Sequence, residues 1–391
     1  MNIYAVIAEF NPFHNGHEYL AGQIKKKDSD SALVAVMSGS FTQRGEPAVI
    51  DKYARAEAAL FGGVDLVLEL PAPWCFSGAE FFALGGVAVA EGLGVCDGLV
   101  FGSEVGGVEA LIRCESRLSS EEYVAAYSAA RKARPSKNTG TLRAEVYGEM
   151  YGESDILSGS NNLLALEYIS ALQKLGSRMT PHTVKRVGAD FNSSELSGIC
   201  SASAIRAALG RGVTDFSDFM PREAQKILTR EISEGRIYDM SALDSAVVAM
   251  LRAADPRRLS GYMEVSGGLE NRLCAAAEKC RTVTELVSAV KSKRYPESRV
   301  RRAILSCMLG VEMRHAEKNP LFTNVLAANG RGREVLALAR KRANIAVLSK
   351  LSDSKLLPPE VMEQYALHMR AERLFELCSE AEPRRTGAVM R

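Results

Sequence analysis

Residues 3–8, Ile3-Tyr4-Ala5-Val6-Ile7-Ala8, form an almost unbroken apolar run with no period-two alternation. That pattern belongs to a strand covered on both faces, as in a parallel sheet sandwiched between helices. Pro12 stops the strand, and a helix is predicted from about residue 16 to residue 27, capped by Asn15 or the turn before it. The free N–H groups and dipole of such a helix start favour an anion. His14 and His17, three apart, share one face of its first turn, where both imidazoles can donate to one triphosphate, and Gly16 allows close backbone approach. A zinc pair and plain packing are the other readings of this turn. Zinc lacks a shell: the chain has five histidines (His14, His17, His182, His315, His368), with no Glu-flanked His pair and no Cys-x-x-Cys.

The pattern repeats down the chain. Ala32–Met37 and Val64–Leu70 are further buried strands, and Gly98–Glu104 a fourth. Between them lie a polar loop, Phe41-Thr42-Gln43-Arg44-Gly45-Glu46-Pro47, and helices predicted after Asp51 and over residues 77–93. Leu163–Leu175 is a helix, residues 182–187 a short strand, and residues 199–206 open another helix, where Ser201 or Ser203 can cap and Arg206 lies within one turn. Strands alternating with helices predict an α/β, Rossmann-like core with a parallel sheet, whose ligands bind at the carboxyl ends of the strands. Gly92-x-Gly94 lacks the dinucleotide spacing and no Walker A sequence occurs. Ser160-Asn161-Asn162 suits a helix cap as well as a functional role.

Charge divides the chain. Residues 1–210 hold 18 Lys+Arg against 24 Asp+Glu, a net of −6, and residues 211–391 hold 31 against 23, a net of +8. We expect two domains, an acidic α/β unit at 1–210 and a mainly helical, basic unit at 211–391 suited to a polyanion, with a solvated basic face as the plainer reading. After residue 222 the only strand candidate is Ile345–Leu348, and residues 380–391 are expected to be loose. Two basic clusters stand out, residues 291–302 and 331–350, each with six basic residues and one acid. In the first, Arg294, Arg299, Arg301 and Arg302 with interleaved Tyr295 suit phosphate contacts and base stacking. The eight scattered cysteines read as free thiols, and no apolar stretch is long enough for a bilayer, so a cytoplasmic, non-membrane protein is expected.

His-x-Gly-His on a strand-to-helix turn is the signature of the nucleotidyltransferase superfamily. The chain as a whole resembles the tRNA(Met) cytidine acetate ligase family. The likeness rests on residues 7–17, Met37–Pro47, Lys52–Glu57, Phe101–Glu104, Asn161–Tyr168, Thr183–Gly188 and Ser201–Arg206, then Gly268–Arg272, Arg294–Arg302 and Asn324–Ala327. It implies an enzyme that uses ATP to activate acetate as acetyl-adenylate and passes the acetyl group to N4 of the wobble cytidine of elongator tRNA(Met). It also implies ATP contacts from Ile7-Ala8-Glu9-Phe10-Asn11-Pro12-Phe13-His14-Asn15-Gly16-His17-Glu18-Tyr19-Leu20, Gly102, one of Asn161 and Asn162, and Arg186. Adenylate chemistry is mostly positioning and charge neutralisation. His14, His17, Arg186 and Ser203 are the expected catalytic donors, with Mg²⁺ accompanying ATP. For acetyl transfer, Glu46, Asp65 and Glu104 are the acid/base candidates. The competing readings are an adenylyltransferase acting on a small phosphate-bearing metabolite and a non-catalytic ATP- and RNA-binding protein.

Overall fold

The computed structural model describes residues 1–135, 137–186, 200–382 and 387–391, the side chain of Leu351 excepted. Strands β1 (Ile3–Ala8), β2 (Ala32–Ser38), β3 (Leu66–Leu70), β4 (Gly98–Ser103) and β5 (Thr180–Lys185) run parallel. With β6 (Phe322–Ala328), β7 (Ala346–Leu348) and β8 (Val389–Met390) they form one eight-stranded sheet in the order β5-β4-β1-β2-β3-β6-β7, β8 pairing with β6. The chain winds from β1 outward through β2 to β3, then returns to place β4 on the other side of β1. The switch point therefore lies between β1 and β4, where the crevice of an open α/β sheet forms.

Successive side chains on the central strands feed two different cores, which is why no polar residue alternates along them. Ile3, Ala5, Ile7, Val34, Val36, Leu66 and Leu68 join one apolar cluster, with α3 (Ala79–Gly92) and α7 (Ser160–Lys174). Val6, Leu33, Ala35, Met37 and Val67 join the other, with α1 (Asn15–Lys27), α2 (Lys52–Phe61) and α8 (Ala202–Leu209). Helices α4 (Val108–Leu118), α5 (Glu121–Ala133) and α6 (Thr139–Tyr151) lie between β4 and α7 in the chain.

Three expectations need correction. Residues 322–328 form a full strand, antiparallel to β3, in the half expected to be helical. Their apolar run is short and carries Asn324, so periodicity alone does not separate it from a buried helix, although Pro320 and Asn329-Gly330 bracket it. The last residues are not loose: β8 pairs with β6, and the Arg391 guanidinium meets Glu57 at 2.9 Å. The third strand begins at Leu66, two residues later than expected, and the Asp65 carboxylate just before it joins three elements. It accepts from Leu33 N at 2.8 Å, Lys25 Nζ at 2.6 Å and Asn329 Nδ2 at 2.9 Å. Of the expected motifs, Ser136, Val187, Gly188 and Ile199 lie outside the described residues.

Loop 41–47 is anchored from below by two buried cations. The Arg55 guanidinium, fully buried, donates to the carbonyls of Glu9 at 2.7 Å and Ser38 at 3.0 Å, and also to that of Gly39, tying the carboxyl ends of β1 and β2 together. Lys52 meets Glu69 at 2.8 Å and Glu372 at 2.7 Å. Glu372, on helix Pro359–Glu376, accepts from Ser40 at 2.8 Å.

Candidate functional site

At the β1 turn Phe10 adopts φ 46°, a left-handed backbone uncommon for a large side chain. The chain then enters α1 with His14, not Asn15, as N-cap. Nδ1 of His14 accepts from Gly16 N at 3.0 Å, and Nδ1 of His17 accepts from His14 N at 3.2 Å. Both rings thus carry their proton on Nε2, as assigned from these bonds. The rings lie tilted, 3.8 Å between centroids, with Phe10 and Phe13 beside His17.

Burial, then Arg186 and Arg206, pushes the His14 pKa down to about 3. Burial, then His14 and Arg186, holds His17 well below its ordinary value. Both imidazoles are therefore neutral near pH 7. They supply N–H donors and no charge. Positive charge must come from the arginines.

The turn opens into a cavity of about 580 Å³. From residues 7–20 it is lined by Ile7, Ala8, Glu9, Phe10, Asn11, His14, Gly16, His17, Tyr19 and Leu20. Pro12 and Phe13 are buried beneath it, Glu18 is exposed, and Asn15 faces another way, donating from Nδ2 to Asp218 O at 3.0 Å. Gly102 and Arg186 stand on the opposite wall, together with Phe101, Leu164 and Tyr168.

The asparagine pair separates cleanly. Asn161 lines the cavity, accepting from Arg186 at 3.2 Å and donating to Glu104 at 2.6 Å. Asn162 is buried, its Oδ1 accepting from the backbone N–H groups of Glu104 and Val105 at 3.0 and 3.3 Å. The Glu104 carboxylate in turn accepts from Asn161 N and Asn162 N, at 3.1 and 2.7 Å, at the first turn of α7. Glu104 and Asp65 are therefore tied up in structural bonds, and of the three acid/base candidates only Glu46 faces the cavity.

A second helix start, α8, also reaches the wall through Ser201 and Ala202. Ser201 is the cap, accepting from Ala204 N at 3.2 Å. Ser203, expected in the site, is not on the wall; it accepts from Arg206 at 3.4 Å, and Arg206 donates to Asn11 O at 2.6 Å, bracing the β1 turn.

The far end of the cavity is built by loop 41–47 together with helix Glu297–Leu309. Gly45, at φ 73°, packs so closely that a Cβ would sit 2.5 Å from Arg302 N. Arg301 and Arg302, expected on an open RNA-binding face, are only 20% and 13% exposed and line the cavity instead. Arg301 pairs with Glu46 and with Glu297 at 2.6 Å; Arg302 pairs with Glu264 at 2.7 Å and donates to Gln43 O at 3.1 Å. Arg294 is exposed, and Arg299 reaches Ser266 Oγ at 2.8 Å. Tyr295 cannot stack on a base as expected, since its ring is buried and its hydroxyl donates to Gly267 O. Arg272, Arg294 and Arg299 instead gather over that ring at 5.4–5.6 Å. Arg44 and Gln43 line the same end, and no periodic signal in a loop could have placed them there.

A family model described as HIGH Nucleotidyl Transferase matches residues 1–388. A protein of Acetivibrio thermocellus named tRNA(Met) cytidine acetate ligase is 34% identical, the match covering 97% of this chain and 95% of that protein. One of the same name from Syntrophomonas wolfei is 37% identical over 91% of this chain and 88% of that protein. Among solved structures, Thermotoga maritima TmcAL bound with alpha-thio ATP superposes with a TM-score of 0.90 at 32% identity, covering 100% of this chain and 99% of that one.

Proposed function

This chain belongs to the tRNA(Met) cytidine acetate ligase family of HIGH nucleotidyl transferases, and on that premise we propose how its cavity carries out the ligation. ATP enters with its phosphates against the Nε2–H groups of His14 and His17 and the starts of α1 and α8. Arg186, whose charge is felt by both histidines, supplies positive charge to the phosphates, and Gly102 and Asn161 hold the nucleoside side. Mg²⁺ would accompany the triphosphate and offset part of its charge. Acetate attacks the α-phosphorus, pyrophosphate leaves, and acetyl-adenylate remains in the cavity. N4 of the wobble cytidine of elongator tRNA(Met), turned out of its stack, then takes the acetyl group and AMP departs. Acetate and this tRNA are the substrates, and the work belongs in the cytoplasm, where tRNA is modified; no helix among the described residues is long and apolar enough to cross a membrane.

One observation carries this reading: residues of both halves of the chain, His14 and His17 from the first and Arg301 and Arg302 from the second, line one cavity. A nucleotide-only site would not need the second set. Exposed Arg294, and Arg299 beside it, are our candidates for tRNA phosphate contacts along the approach. The test is mass spectrometry of nucleosides from tRNA incubated with the protein, ATP and labelled acetate. Labelled N4-acetylcytidine at the wobble position of elongator tRNA(Met) is expected; AMP transfer to a phosphometabolite, or no ATP consumption, would overturn the reading.

A further inference from the structure

Attack of an exocyclic amine on the carbonyl carbon of acetyl-adenylate forms a C–N bond, breaks the C–O bond to AMP, and requires the nitrogen to lose one proton. A base for that proton must lie within hydrogen-bond reach of the amine. Resting on the ligase reading above, we infer that Glu46 is this base, held in place by Arg301.

The cavity offers three carboxylates among the described residues, Glu9, Glu46 and Glu297. Glu9 is spent in tethering the loop, accepting from Gln43 N at 2.8 Å. Glu297 is exposed at the rim and shared between Arg301 at 2.6 Å and Lys291 at 3.7 Å. Glu46 alone sits on a wall fixed from both sides. Its backbone carbonyl accepts from Thr42 N at 3.0 Å and Thr42 Oγ1 at 3.2 Å, and the loop closes through a bridge between Phe41 and Pro47. On the other side, the backbone of Gly45 lies against that of Arg301 and Arg302.

The Glu46 side chain is 29% exposed, open enough to meet a substrate and enclosed enough to keep one orientation. Arg301 supplies that orientation. Its NH1 holds Glu46, its NH2 holds Glu297, and its Nε is buried with no partner among the described residues. Glu46 therefore stands where the first half's nucleotide site meets the second half's RNA side, and it can take the N4 proton as AMP leaves. Arg301 is a positioning residue.

Glu46→Gln keeps an oxygen for Arg301 and removes the basicity. In the full-length enzyme, acetate-dependent ATP–pyrophosphate exchange should stay within about twofold of wild type, while single-turnover acetyl transfer to tRNA(Met) should fall by about a hundredfold or more. Glu46→Asp, which keeps a carboxylate, should restore part of the rate. Wild-type transfer by Glu46→Gln would overturn the inference, and so would an equal loss of exchange and transfer. No acetate-dependent exchange by the wild-type enzyme would instead refute the ligase reading, and this inference with it.

Discussion

The backbone N–H of His14 donates to the ring of His17 while the ring of His14 accepts from Gly16, so each histidine uses one nitrogen to start the helix and keeps the other for a ligand. Function and fold can be separated on this basis. Asparagine places an oxygen near the Nδ1 position but offers nothing where Nε2 stands. His17→Asn should therefore fold, keep the helix start to within about 1 kcal/mol, and lose ATP affinity and pyrophosphate exchange by about tenfold or more. Calorimetric binding of an ATP analogue and thermal denaturation of the same sample check both halves; unaltered exchange would mean that the ring serves only as a cap.

The same two rings set an acid limit on stability. Their folded-state pKa values lie below the unfolded value near 6.5, with His14 at about 3. The folded chain refuses protons that the unfolded chain accepts. Stability should be full above pH 6.5 and fall as pH drops below it, by up to about 1.4 kcal/mol per pH unit for each ring. His182, also lowered by burial and then by Lys27, adds to this slope. Carboxylates held low, Glu57 and Glu104 among them, act only below their ordinary range near 4.5, so the window from pH 6.5 to 5 reports the histidines. Denaturant unfolding across that window should show a flatter slope for the His14→Asn, His17→Asn double variant.

Lys52 lies between Glu69 and Glu372 beneath the site loop, with His368 at 3.4 Å from Glu69 and Asn324 donating to the same carboxylate at 2.7 Å. Burial alone would raise the Glu69 pKa, yet Lys52 and His368 hold it below the ordinary value. Lys52→Met leaves two buried carboxylates without their cation and should cost about 3–5 kcal/mol. Thermal unfolding measures the loss, and activity should fall with the folded fraction.

The sheet and the turn that leads from β1 into α1 were legible in the sequence because continuous apolar strands broken by Pro12 ahead of an amphipathic run leave few alternatives. The charge division pointed to a basic second half, but it could not show that Arg301 and Arg302 turn inward. Their orientation depends on Glu46, 255 residues away, and on Gly45 admitting the helix backbone. Tyr295 misled for a related reason. An aromatic ring among arginines looks the same in sequence whether it awaits a base or is buried beneath the guanidinium groups. Strand β6 escaped notice because its partner β3 lies about 260 residues earlier, and pairing at that separation leaves no local period.

Asn161 and Asn162 are neighbours that sequence could not tell apart, and the structure gives them opposite expected phenotypes. Asn162→Ala removes a buried acceptor from two part-buried backbone donors, Glu104 N–H and Val105 N–H, and should cost about 1–2 kcal/mol of stability, with ATP affinity retained in the folded fraction. Asn161→Ala removes half-exposed contacts to Arg186 and Glu104, leaves the two backbone N–H bonds to Glu104 in place, and should keep stability within about 1 kcal/mol of wild type. It frees the guanidinium from its orientation over the cavity, so affinity for an ATP analogue should drop by about tenfold. Differential scanning calorimetry and equilibrium binding on both variants decide the matter. A reversal of the two phenotypes would place the nucleotide on the other side of α7 from Arg186.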